Sequence, residues 1–262
     1  MTKLITLMEP ETWQHLEELV RDIFVECGVH AQRQAPLTLP RGSVNVDVLA
    51  EETKDGTALL TICECKNWKT NVPQEVVHSF RTVLAEAGAH RGYIISKAGF
   101  QSGAVAAAVS TNITLATFAQ FQTLYFDRWI LARSWQIENA VGNLHTYYEP
   151  FGIPGIMKLP TEAEREAYAA AWKQYLYLGI ILPMFSPWSR TIVNAMPWPT
   201  LPLEAKRFEE QEVPLPEAFE GLDSYREFLQ LLEAHAVVAL TKLRSMNPLT
   251  RHLAPGAIDR DD

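Results

Sequence analysis

Apolar side chains at Trp13, Leu16, Leu19, Val20, Ile23 and Phe24 recur at spacings of three and four. That period predicts an amphipathic helix over residues 10–27, with Gly28 as its stop. The spacing then changes to two. Residues 30–39 alternate loosely and end at Pro40, and residues 43–51 alternate well. Strict alternation puts Val44, Val46 and Val48 on one side of that strand and Asn45, Asp47 and Leu49 on the other. Lys54-Asp55-Gly56-Thr57 reads as a hairpin turn, and residues 58–67 as the returning strand of an antiparallel meander. Pro73 suits the first position of a second helix reaching about Ala87, whose buried stripe is Val76, Val77, Phe80, Val83 and Leu84. A short apolar strand (91–96), a small-residue helix (101–109) and a last strand (113–117) follow. The order predicts an α/β fold, a mixed sheet flanked by helices on both faces.

Strand signals fade after Phe118. Residues 118–138, 161–182 and 223–245 read as helices, separated by a region whose Pro183, Pro187, Pro197, Pro199, Pro202, Pro214 and Pro216 forbid long regular elements. The expected organisation is an α/β domain at residues 1–126 and a mainly helical accessory region of unknown role at 127–262. Aromatic residues are frequent in the second part, with few basic residues between them, which favours packing over base stacking as their use.

Composition narrows the class. The 262 residues are 47% hydrophobic and 21% charged, as in ordinary globular proteins, which excludes wholesale disorder. Three cysteines, Cys27, Cys63 and Cys65, make a disulfide framework a poor expectation and a reducing cytoplasm the default. Residues 1–20 lack the pattern of a secretory leader, and the most apolar stretch, 175–185, is short of the roughly 20 residues of a membrane span. A soluble cytoplasmic protein without membrane contact is expected. The net charge of −8 leaves no bulk attraction for polyanions, so nucleic acid would have to be bound in a local groove.

Chemistry is concentrated on the two strands of the hairpin. Period-2 geometry puts Glu64 and Lys66 on one face of their strand, and the hairpin brings Asp47 alongside. Two carboxylates among Val44, Val46, Val48, Leu59, Leu60 and Ile62 repel one another unless a cation lies between them. Mg²⁺ fits that need, because it takes one or two carboxylates and completes its shell with water or phosphate oxygens. In this reading Asp47, Glu64 and the backbone carbonyl of Cys65 hold the metal. Lys66 stabilises charge developing on a phosphoryl group or positions the attacking water. The Cys63-x-Cys65 pair suggests zinc at first sight. With only Cys27 remaining and no nearby histidine pair, core thiols are the better reading.

The strings Val46-Asp47-Val48 and Cys63-Glu64-Cys65-Lys66, in this order of elements, resemble the PD-(D/E)XK nuclease superfamily, in particular its Mrr-like restriction endonuclease branch. Leu16-Glu17-Glu18-Leu19-Val20 through Gly28 is similar to that family's opening helix. Gly88-Ala89, Gly92-Tyr93-Ile94-Ile95-Ser96 and Gly99-Phe100 are similar to its third segment. The resemblance covers about residues 10–120 and implies a restriction-endonuclease-like sheet. It also implies Mg²⁺-dependent hydrolysis of DNA phosphodiesters, with Mn²⁺ as an acceptable substitute. It gives Asp47, Glu64 and Lys66 the catalytic roles, adds Glu17 as a helix-borne metal ligand and suggests Gln74 as a secondary site residue. Val46 stands where the family's motif proline is found, and Gly42-Ser43-Val44-Asn45 where a tighter glycine approach is common.

The expected function is therefore a metal-dependent DNA endonuclease in restriction or phage defence, as a monomer or homodimer. The alternatives are a junction-resolving or repair nuclease with the same site, and a non-catalytic binding protein of the same fold.

Overall fold

The computed structural model describes residues 4–40, 42–148, 153–192, 197–204, 206–210 and 212–251. The chain divides into two compact units, Met1–Ala132 and Arg133–Asp262.

In the first unit, helix α1 (Trp13–Glu26) is capped by Thr12, whose hydroxyl accepts the His15 N–H at 3.1 Å. Gly28 ends it in the left-handed region, at φ 77°. Its buried stripe starts one turn later than the sequence suggests. Leu16, Leu19, Val20, Ile23 and Phe24 are buried, while Trp13, the first helical residue, is 50% exposed.

Strands β1 (His30–Leu39), β2 (Gly42–Lys54) and β3 (Thr57–Lys66) pair antiparallel. Asp55 and Gly56 between the last two both have positive φ (51° and 76°), as the tight two-residue hairpin turn requires. Helix α2 (Gln74–Ala87) then crosses to β4 (Arg91–Ser96), and α3 (Ser102–Ala108) crosses to β5 (Ile113–Thr117). Pro73 is the cap before α2 rather than its first residue. The sheet order is β1-β2-β3-β4-β5, with the last three strands parallel. This is a restriction-endonuclease-like α/β sheet.

Each face is covered for an identifiable reason. On one, Val46, Leu49, Ile62, Ile94 and Ile113 form a core with Val77, Phe80 and Leu84 of α2 and Ala104 of α3. Gly92 lets α2 come close: a Cβ there would sit 2.4 Å from Leu84 Cδ1 and 2.7 Å from Phe80 Cε1. On the other face, Phe24 of α1 and Tyr93 of β4 pack edge-on against rings of helix α4 (Phe118–Val141). Phe24 and Tyr125 have centroids 5.0 Å apart, and Tyr93 and Phe121 5.4 Å.

The second unit is helical. The expected helix over 161–182 is two, α6 (Glu162–Gln174) and α7 (Leu176–Phe185), after the short α5 (Ile153–Met157). Thr161 and Glu164 form a capping box that starts α6. Pro183 lies in the last turn of α7, which ends two residues later. Short helices α8 (Pro187–Ile192) and α9 (Lys206–Glu209) precede the long α10 (Tyr225–Met246). Tyr168, Tyr177, Phe185, Phe219 and Phe228 are buried, so these aromatics build a core. Among the described residues, no helix is long and apolar enough to cross a membrane.

Candidate active site

The regular alternation of β2 breaks at Asp47. Val44, Val46 and Leu49 all join the core beneath α2, so the residues on either side of Asp47–Val48 are out of step with strict alternation. Two features of the ladder coincide with the break. The β1–β2 register pairs Arg33 with Val48 and Ala35 with Val46, leaving Gln34 and Asp47 unpaired between them. Gln34 has φ 48°, a left-handed conformation that is costly for a side-chain-bearing residue. On the other edge the β2–β3 ladder ends at Val48–Cys63. Beyond it the Cys65 N–H donates to the Asp47 carboxylate, at 2.7 Å from Oδ2. The side chain of Asp47 thus supplies the next rung.

Glu64 and Lys66 lie where the period of β3 places them. With Asp47 they line one cleft of about 440 Å³, whose remaining walls include Asn45, Trp68 and the Glu75 and Ser79 of α2. Lys66 Nζ is paired with Glu64 Oε1. Burial pushes the Glu64 carboxyl above its usual range, and the nearby Asp47 and Glu17 charges add to this, against the opposing pull of Lys66. Cys63 and Cys65 are buried free thiols, both pushed up by burial, as expected for core cysteines.

Glu17 is placed less simply. Its residue is 1% exposed. Its carboxylate accepts hydrogen bonds from Gln34 Nε2 at 2.9 Å and from an Arg33 guanidinium nitrogen at 3.4 Å. Burial raises its pKa and the Asp47 charge raises it further, while Gln34 and Arg33 lower it. Glu17 therefore sits within electrostatic reach of Asp47 and Glu64, with its oxygens engaged by β1. Gln74 is not brought to the cleft: its side chain lies against α3, with Oε1 2.9 Å from where a Cβ on Gly103 would be. Asn67 Nδ2 donates to the Glu11 carbonyl at 3.4 Å, and Lys69 is exposed.

Sequence reasoning missed three residues here. Arg33 and Gln34 lie on the loosely patterned strand β1, and nothing in their spacing marks them. Trp68 had a usable signal, because it continues the alternation of Glu64 and Lys66 by one more step. Its ring centroid is 5.4 Å from Lys66 Nζ.

Among the described residues, no three or more His, Cys, Asp or Glu side chains are grouped so as to hold an ion by themselves. Two carboxylates facing one open cleft nonetheless match a hard cation that keeps most of its water, and they do not match zinc.

The raised Glu64 pKa gives a prediction. A carboxyl whose folded pKa lies above its unfolded one contributes stability below the unfolded value and loses it as pH rises through the folded value. Metal-free Glu64→Gln should therefore melt higher than wild type at pH 7.5. The difference should vanish near pH 4. Equal melting temperatures at both pH values would show that Glu64 carries no such burden.

Residues 8–125 match the family described as restriction endonuclease (Mrr_cat). No curated protein matches the chain. Two solved structures match part of the chain. One, described as a protein of unknown function, AF1548, is 16% identical with a TM-score of 0.36, over 41% of this chain and 59% of that one. The other, the DNA modification-dependent restriction endonuclease AspBHI, is 12% identical with a TM-score of 0.26, over 47% and 36%. The match spans less than two thirds of either.

Proposed function

We propose that residues 8–125, which match the restriction endonuclease family model, form a nuclease domain and that the chain hydrolyses DNA phosphodiester bonds with a divalent metal. The observation that carries the reading is the convergence of Asp47, Glu64 and Lys66 on one cleft. Asp47 and Glu64, with the Cys65 carbonyl, are the groups that would hold Mg²⁺ or Mn²⁺. Such a cation, when bound, neutralises charge on the scissile phosphate and acidifies water.

The protein's own groups do the rest. Lys66 presents its ammonium to a non-bridging phosphate oxygen, where negative charge accumulates on the way to the transition state. Glu64 keeps that ammonium in place until substrate competes for it. The Cys65 N–H fixes one oxygen of Asp47 and leaves the other to face the cleft. Glu17 adds negative charge behind the pair, held by Gln34 and Arg33. The setting we favour is restriction or phage defence in the cytoplasm, where three free cysteines are at home.

The test is incubation of the purified chain with supercoiled and linear DNA in Mg²⁺, in Mn²⁺ and in EDTA. Nicking or linearisation in metal, lost in EDTA, is the expected outcome. Intact DNA in every metal would remove the nuclease reading.

A further inference from the structure

The walls of the cleft are not those of a groove built to grip a duplex backbone. Of its lining residues only Lys66 is cationic, and Glu75 is acidic. Val44, Val46, Val76, Phe80 and Val83 make the walls largely apolar. Few phosphates can be neutralised within the cleft itself. What the cleft offers instead is an indole. Trp68 is 41% exposed although it is large and apolar. Its ring lies 5.4 Å from the ammonium of Lys66. A strand with a phosphate held by Lys66 would therefore pass close to the Trp68 ring.

We propose that Trp68 stacks on an unpaired nucleobase next to the scissile phosphate, so that the site selects DNA containing single-stranded nucleotides over continuous duplex. Within a duplex both faces of each base are covered by neighbours, so a protein ring can stack only on a base that is unpaired, frayed or extruded. Stacking of one base on an aromatic side chain changes affinity by about 5- to 150-fold and tolerates any sequence. The stacking contact itself is not electrostatic, so it adds affinity that a chain of net charge −8 does not gain from bulk attraction. The inference rests on the nuclease reading and assigns that site its substrate class. Trp68 also has a competing structural use, as a cation–π partner that holds Lys66.

The two uses separate experimentally. Fluorescein-labelled 30-nucleotide single strands, the matching duplex and a duplex with a central unpaired bubble are titrated into the full chain in EDTA, followed by anisotropy. Cleavage of the same three DNAs is then timed in Mg²⁺. Trp68→Ala should weaken binding of the single strand and the bubble by about 10-fold or more and change duplex binding less than about 2-fold. Trp68→Phe should restore most of the loss, and melting temperatures should show that both variants fold. In cleavage, KM should rise on unpaired substrates with kcat little changed. An equal loss of kcat on all three DNAs without a change in binding would assign Trp68 to positioning Lys66 and overturn the proposal. Tighter binding to duplex than to bubble by wild type would also overturn it. Absence of cleavage by wild type in any metal would instead strike the nuclease reading, and the binding comparison in EDTA would still decide the stacking.

Discussion

Asp47→Asn is expected to lower metal-dependent DNA cleavage by about 10³-fold or more while leaving the fold at least as stable as wild type. Both halves of that expectation come from the rung between Cys65 and Asp47. The amide oxygen of asparagine can accept the Cys65 N–H that Oδ2 accepts now. What is lost is the negative charge, which a cation needs and which Glu17 and Glu64 feel as repulsion. Asp47→Ala should lose as much activity and also melt lower, because it leaves the part-buried Cys65 N–H without its acceptor, at a cost of about 1–3 kcal/mol. Plasmid cleavage assays and melting curves of the two variants check this. Wild-type cleavage rates in Asp47→Asn would take Asp47 out of the reaction. Equal melting of both variants would take the rung out of the fold.

Trp129→Ala is expected to destabilise the first unit by about 3–5 kcal/mol, the usual cost of truncating a buried tryptophan. Trp129 is completely buried, and its indole N–H donates to Glu26 Oε2 at 2.6 Å, joining α4 to the end of α1. Since α1 also carries Glu17, the substitution weakens the wall behind the carboxylates. With a denaturant slope of about 2 kcal/mol per molar urea, the unfolding midpoint read from sheet amides by hydrogen exchange should fall by about 2 M. A fall of less than about 0.5 M would mean that α4 is not needed to hold α1.

Much of this architecture was legible in the chain because local chemistry and tertiary structure agree. Asp55-Gly56 supports two consecutive positive φ values, and the turn is where the sequence puts it. Gly28, left-handed, ends α1 as expected, and Gly88, also left-handed, ends α2 just past Ala87. Period-2 reasoning placed Glu64 and Lys66 together because β3 is regular there. It misassigned the sides of β2 because strict alternation assumes an uninterrupted pleat, and the pleat is interrupted at Gln34 and Asp47. That interruption is a tertiary event: a left-handed glutamine on β1 reaching a helix carboxylate, which no spacing rule encodes. Trp13 was read as core because helical periodicity does not tell where along the helix the sheet begins. Gln74 followed only from resemblance, and the proximity of α3 turns its side chain away from the cleft.

The rung made by Asp47 changes what its presence in a related sequence signifies. An acceptor at that position stabilises the hairpin beyond Val48, whether or not the protein cuts anything. Descendants that abandon catalysis would thus stay under selection to keep aspartate or asparagine at 47, while Glu64 and Lys66, which close no backbone gap, are free to drift. Activity in relatives is best diagnosed from the second strand of the hairpin, not the first.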